Sequence, residues 1–224
     1  MLTVGIPHLF NPIITQVDQE EMKRYAGLRK GGEFPQEIVQ QAARQMLLAK
    51  SLRAVWTVYA YDAQAGLINQ SYKVPSKNLY NHLEKAVQVI MLAVTVGGVI
   101  EENSQQAFQE GQYSLGLFLD AAATTVVEQA ADKLCGMLKG ELKKRGFDLT
   151  SRFSPGYGDW ALEEQTAVAP LAHIEAIGVT LTKAKILSPR KSITAVAGIV
   201  PGSTGEQLSG CAACSQLNCP MRKV

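Results

Sequence analysis

The sequence predicts an α+β fold, and three observations carry that reading. Segments with helical spacing and segments rich in β-branched and aromatic residues follow one another in mixed order, without the regular alternation that builds a parallel sheet. One segment, 115–145, holds an apolar stripe long enough for a helix that dominates the domain. Another, 87–96, is apolar at nearly every position, as a strand covered on both faces must be.

The first helix is expected over 35–52, where Ile38, Val39, Ala42, Met46 and Leu47 share one side. Residues 53–61 then turn to Val55, Trp56, Val58 and Tyr59, a strand signature. A short helix over 77–85 leads into the apolar strand, which Gly97-Gly98 ends, and helical character resumes at 104–110. In the long helix, Leu119, Ala122, Val126, Ala130, Leu134 and Leu138 recur at steps of three or four. Gly146 stops it, with Lys143, Lys144 and Arg145 favourably placed against the helix dipole. Residues 177–186 and 192–200 read as two strands joined by 187–191 and pairing antiparallel. After Pro201 the chain becomes Gly/Ser/Gln-rich, which divides it into a domain over 1–203 and a cysteine-bearing tail over 204–224.

At 224 residues and 46% hydrophobic, the chain has ample material for a core. Its net charge is only +2 and its basic residues are dispersed, so it lacks the footprint of a nucleic-acid binder. The longest apolar run, 89–100, is too short to span a bilayer, and the first residues lack the pattern of a secretory signal. A cytoplasmic protein with no nucleic acid and no membrane as partner is expected, without a disulfide framework. The common nucleotide-binding motifs and the G-x-S-x-G nucleophile elbow are absent.

The densest chemistry lies in Arg152-Phe153-Ser154-Pro155-Gly156-Tyr157-Gly158-Asp159-Trp160. Pro155-Gly156 suits the centre of a type II turn, which is expected to leave backbone N–H groups pointing outward beside the guanidinium. Arg152 is either a solvated loop residue or a carboxylate binder using two parallel hydrogen bonds. Glu128 interrupts the apolar face of the long helix, and a carboxylate there needs a partner. It pairs with a neighbour such as Lys133, or it takes an ammonium group opposite Arg152. In the second case the two charges match the zwitterionic end of an amino acid. Asp120 and Asp132, on the same helix, read as solvated. In the tail, Cys211, Cys214 and Cys219 have C-x2-C-x4-C spacing, open to zinc, an iron–sulfur cluster, redox-active thiols or no chemistry. His8, His82 and His173 are scattered and form no metal-type pair.

Together these residues resemble the activation domain of cobalamin-dependent methionine synthase, in a stand-alone form. The likeness runs from Arg24-Tyr25-Ala26-Gly27-Leu28-Arg29 through Arg53-Ala54-Val55-Trp56 and Leu119-Asp120 to Glu128. It is strongest over Arg152 to Trp160, over the block starting at Ile177-Gly178-Val179, and over Ser188-Pro189-Arg190-Lys191-Ser192. The resemblance implies a twisted, mostly antiparallel sheet with long helices packed on it, and a site for S-adenosylmethionine. Arg152, Gly156 and Tyr157 fall on the family's R-x-x-x-G-Y motif, with Ser154 and Pro155 between them, and Glu128 falls on a helix carboxylate that engages the ligand. Two departures stand out: Ala123 replaces a common Gly, and a second helix acid falls on Thr124.

The family couples one-electron reduction of an oxidised corrinoid to methyl transfer from S-adenosylmethionine. This chain has no D-x-H-x-x-G corrinoid motif. The resemblance therefore implies an accessory component that reactivates cobalamin supplied by a partner, a methionine synthase or other corrinoid protein, with an external electron donor. Tyr157 and Trp160 are then expected near the opening of the site. The alternative is a metal or redox accessory protein of a corrinoid methyltransferase system, working through the tail cysteines.

Overall fold

The computed structural model describes residues 2–28 and 34–202. In chain order its elements are β1 (His8–Phe10), α1 (Gln19–Tyr25), α2 (Gln36–Ala49), β2 (Arg53–Asp62), β3 (Leu67–Ile68) and β4 (Tyr72–Lys73). They continue with α3 (Lys77–His82), β5 (Gln88–Thr95), α4 (Val99–Gln109), α5 (Tyr113–Lys143) and β6 (Phe147–Leu149). After a 3₁₀ turn come α6 (Gln165–Leu171), a second 3₁₀ turn at Ile174–Ile177, β7 (Thr180–Leu181), β8 (Leu187–Ser188) and β9 (Ser192–Pro201). The fold is α+β with a mostly antiparallel sheet, in the order β4–β3–β2–β5–β9–β6, and β1 lies beside the first half of β2.

Alternation along the central strands divides the core between two faces of the sheet. Ile90, Leu92 and Val94 of β5 pack with α1, α2, α4 and α5 on one face. Val89, Met91 and Ala93 face the other layer, with Leu79 and Leu83 around α3, Trp160, and Val168 of α6. Every residue of β5 is buried, as its composition requires. The stripe on α5 is buried throughout, from Leu119 and Val126 to Leu138 and Leu142. Gly146, at φ 79°, turns the chain back into β6.

Two expectations need correction. Helix α4 starts at Val99 rather than 104, because Gly98 leads directly into a first turn carrying Glu101 and Glu102, which suit a helix N-terminus. Residues 177–186 do not form a strand against 192–200. Ile174–Ile177 closes as a 3₁₀ turn ended by Gly178 at φ 74°, and the short β7 pairs only with β8. Strand β9 instead runs between β5 and β6, where its two apolar faces meet both core layers.

Candidate functional site

Just beyond β6 the chain touches β9 again: Phe153 and Val196 exchange two backbone hydrogen bonds, each 2.9 Å. Neighbouring residues on extended backbone point to opposite faces. Phe153 therefore joins the second core layer beside Trp160, and Arg152 turns to α5. Its Nη2 donates to Glu128 Oε2 at 2.9 Å and lies 2.9 Å from Asp132 Oδ1. The two acids are neighbours because four residues make about one helical turn. The Arg152 side chain is 18% exposed, Glu128 33% and Asp132 71%, so the cation lies beneath acids that reach toward solvent.

Burial opposes the charge on Arg152, but Asp132, Cys135 and Glu128 outweigh it and hold the guanidinium above its ordinary range. Among the described residues, its buried Nη1 has no hydrogen-bond partner. The nearby Cys135 thiol is pushed up by burial, which Arg152 offsets only in part. Tyr25, at the end of α1, is partly buried near Glu128. Burial raises its phenol, and the charge of Glu128 raises it further. The seven-residue α1 was too short for periodicity to single out Tyr25.

Arg152 and Glu128 are thus brought together, but in direct contact rather than as opposite walls of an open gap. Asp132 is a partner of Arg152, not a merely solvated acid. Asp120 is also paired: Lys191 Nζ donates to Asp120 Oδ2 and Thr124 Oγ1, both at 2.8 Å. Positions 120, 124, 128 and 132 recur every fourth residue, so α5 presents one polar stripe with two clipped cations.

The turn forms as its residues require. Tyr157 N donates to Ser154 O at 3.1 Å and Gly156 sits at φ 94°. Its N–H groups do not point outward, however: Gly156 N is taken by Trp160 O at 2.7 Å, and Tyr157 N closes the turn. Tyr157 is 58% exposed, but Trp160 is only 1% exposed and cannot line an opening. Its apolar rings outweigh its place in a polar loop, and Nε1 donates to Tyr72 Oη at 3.0 Å.

Asp159 accepts hydrogen bonds from the Ser76 hydroxyl and the backbone N–H groups of Lys77 and Asn78. These donors, the Ser76 hydroxyl first, hold its carboxyl below the usual range. A depressed folded value contributes stability above about pH 4, where the unfolded carboxyl is ionised, and loses it as pH falls through the folded value. Asp159→Asn is therefore expected to remove part of the acid sensitivity below about pH 4. Denaturant titrations at several pH values check this, and parallel curves for both proteins would refute it.

A cleft of about 290 Å³ lined by His8, Trp56, Met137 and Glu141 lies at another part of α5 and contains neither Arg152 nor Glu128. Cys211, Cys214 and Cys219 lie outside the described residues. Among the described residues, no group of three or more His, Cys, Asp or Glu is placed to hold a metal, and no helix is long and apolar enough to cross a membrane.

No family model and no curated protein matches this chain. Among solved structures it is similar to the crystal structure of the MetH reactivation domain bound to AdoHcy, with a TM-score of 0.56 and 16% sequence identity. The match covers 91% of this chain and 81% of that one. At that identity the likeness is one of fold, and the chain shares the fold of that reactivation domain.

Proposed function

We propose that this chain binds S-adenosylmethionine and supports the reductive remethylation of cobalamin held by a separate methionine synthase or related corrinoid protein. The observation that carries the reading is the Arg152–Glu128–Asp132 cluster leading into the Ser154–Tyr157 turn. The shared fold with a domain crystallised with AdoHcy supports it.

The residues fit such a ligand. Arg152 lies against two carboxylates, and its Nη1 is a buried donor with no hydrogen-bond partner among the described residues. A ligand carboxylate offers Nη1 an oxygen, while the ammonium and sulfonium offset Glu128 and Asp132. The exposed ring of Tyr157 and the backbone at Gly156 supply a surface for the adenosyl part, with Ser154 beside them and the buried Pro155 shaping the turn. When bound, S-adenosylmethionine supplies an already activated methyl, so the chain needs no general base and its task is orientation. One electron comes from a separate donor, the methyl leaves as a formal cation, and the thioether S-adenosylhomocysteine remains.

The carboxylates of Glu128 and Asp132 predict tighter binding of S-adenosylmethionine, whose sulfonium carries a charge that S-adenosylhomocysteine lacks, by about tenfold at low salt and less as salt rises. Calorimetric titration with both ligands tests this, and equal affinities would sink the charge argument. A reactivation assay with an oxidised corrinoid protein and a reductant then separates a working component from a protein that only binds the ligand. The tail cysteines are a second, independent proposal, resting on their C-x2-C-x4-C spacing. Metal and sulfide analysis of anaerobically purified protein decides between a cluster, zinc and free thiols.

A further inference from the structure

Helix α3 and the residue that opens it touch the segment 151–160 near both of its ends. At the C-terminal end of α3, His82 Nε2 donates to the Ser151 carbonyl at 2.8 Å, and its ring lies 5.6 Å from that of Phe153. At the N-terminal end, Asp159 Oδ2 accepts from Lys77 N at 2.8 Å and Oδ1 from Asn78 N at 3.2 Å. The Ser76 hydroxyl donates to the same carboxylate while accepting from Leu79 N at 2.9 Å. Between these ends the contact is tight: a Cβ on Gly158 would come within 2.8 Å of Asn78 Nδ2. The platform itself is anchored, since Leu79 and Leu83 are fully buried in the second core layer. One residue further on, Trp160 is tied to Tyr72, which donates to Glu164 Oε2 at 2.8 Å.

A loop whose ends are pinned to a rigid element keeps its shape before a ligand arrives, and that spares binding the cost of ordering it. We propose that α3 is the element that pre-forms the Ser154–Tyr157 turn, with His82 and Asp159 as its positioning residues. Neither is proposed to touch the ligand, and both act on the backbone that carries Ser154, Pro155, Gly156 and Tyr157. The inference rests on the reading of this turn as part of the S-adenosylmethionine site, but its own claim about the loop can be measured without ligand.

The test is amide hydrogen exchange on the full, ligand-free chain, followed by titration with S-adenosylmethionine. In Asp159→Ala and His82→Ala, the amides of Gly156 and Tyr157 are expected to exchange at least about tenfold faster, while those of β5 stay protected. The dissociation constant for S-adenosylmethionine is expected to rise about tenfold in each. His82→Gln, whose amide can still donate to the Ser151 carbonyl, should restore both readouts to within about threefold of the parent. General destabilisation would not be rescued in this local way. If Asp159→Ala fails to fold, the His82→Ala and His82→Gln pair decides the matter. Unchanged exchange at Gly156 and Tyr157 in folded His82→Ala overturns the proposal. Failure of the parent chain to bind S-adenosylmethionine overturns the functional reading instead, and the exchange data still decide the role of α3.

Discussion

Arg152→Ala is expected to weaken S-adenosylmethionine binding by about 10- to 150-fold, the loss of one charge-assisted hydrogen bond worth about 1.5–3 kcal/mol. The guanidinium reaches both Glu128 and Asp132, and its Nη1 is the buried donor that a ligand carboxylate would satisfy. The substitution also leaves two acids side by side on α5. Breaking a fully buried ion pair costs about 3–5 kcal/mol, but Glu128 is one-third exposed and Asp132 mostly so. About 1–2 kcal/mol of folding stability is therefore expected to be lost. Arg152→Lys keeps the charge without the planar fork, and one ammonium cannot span the positions that Nη1 and Nη2 occupy. Its affinity should fall between those of the parent and Arg152→Ala. Calorimetry on folded variants measures the first effect and denaturant unfolding the second. Unchanged affinity in Arg152→Ala would remove this residue from the site.

Trp160→Ala is expected to cost about 3–5 kcal/mol of stability, the largest effect of any single change near the loop. Trp160 is among the largest fully buried side chains and packs at 6.1 Å from the Phe153 ring. Its removal opens a cavity between the loop and the second core layer and deletes the hydrogen bond to Tyr72. Trp160→Phe fills most of the volume but cannot donate, so about 1–2 kcal/mol is expected there. Tyr72 keeps its bond to Glu164 in either variant, so its hydroxyl is not orphaned. Urea unfolding of both variants checks the order. A Trp160→Ala midpoint equal to that of Trp160→Phe would mean that the hydrogen bond, not the buried volume, dominates.

The long elements were legible because their patterns are long. The stripe of α5 repeats over many turns, and β5 has no polar face to confuse. Strand pairing was not legible: β9 is apolar on both faces, and nothing local says that it pairs with β5 about a hundred residues earlier. Strands β3, β4, β7 and β8 are two residues each, below any periodic window. In the site, opposite charges singled out Arg152 and Glu128 as facing groups but not their direct bond, and the Pro-Gly pair predicted the turn. The step of four to Asp132 was visible, but its pairing depends on which way Arg152 faces. The buried state of Trp160 and the hold of α3 depend on partners some 70 to 90 residues away, beyond any local signal.

The bridge between Phe153 and Val196 gives the short connector from Leu149 a fixed parity. Insertion or deletion of a single amino acid there would exchange inside for outside, driving a guanidinium in among aromatic rings and a phenyl group toward the acids of α5. A change of two would preserve the facing but shift the anchor along β9. Homologous chains that keep both the arginine and the phenylalanine should therefore tolerate length variation on the far side of the turn far more readily than in this connector.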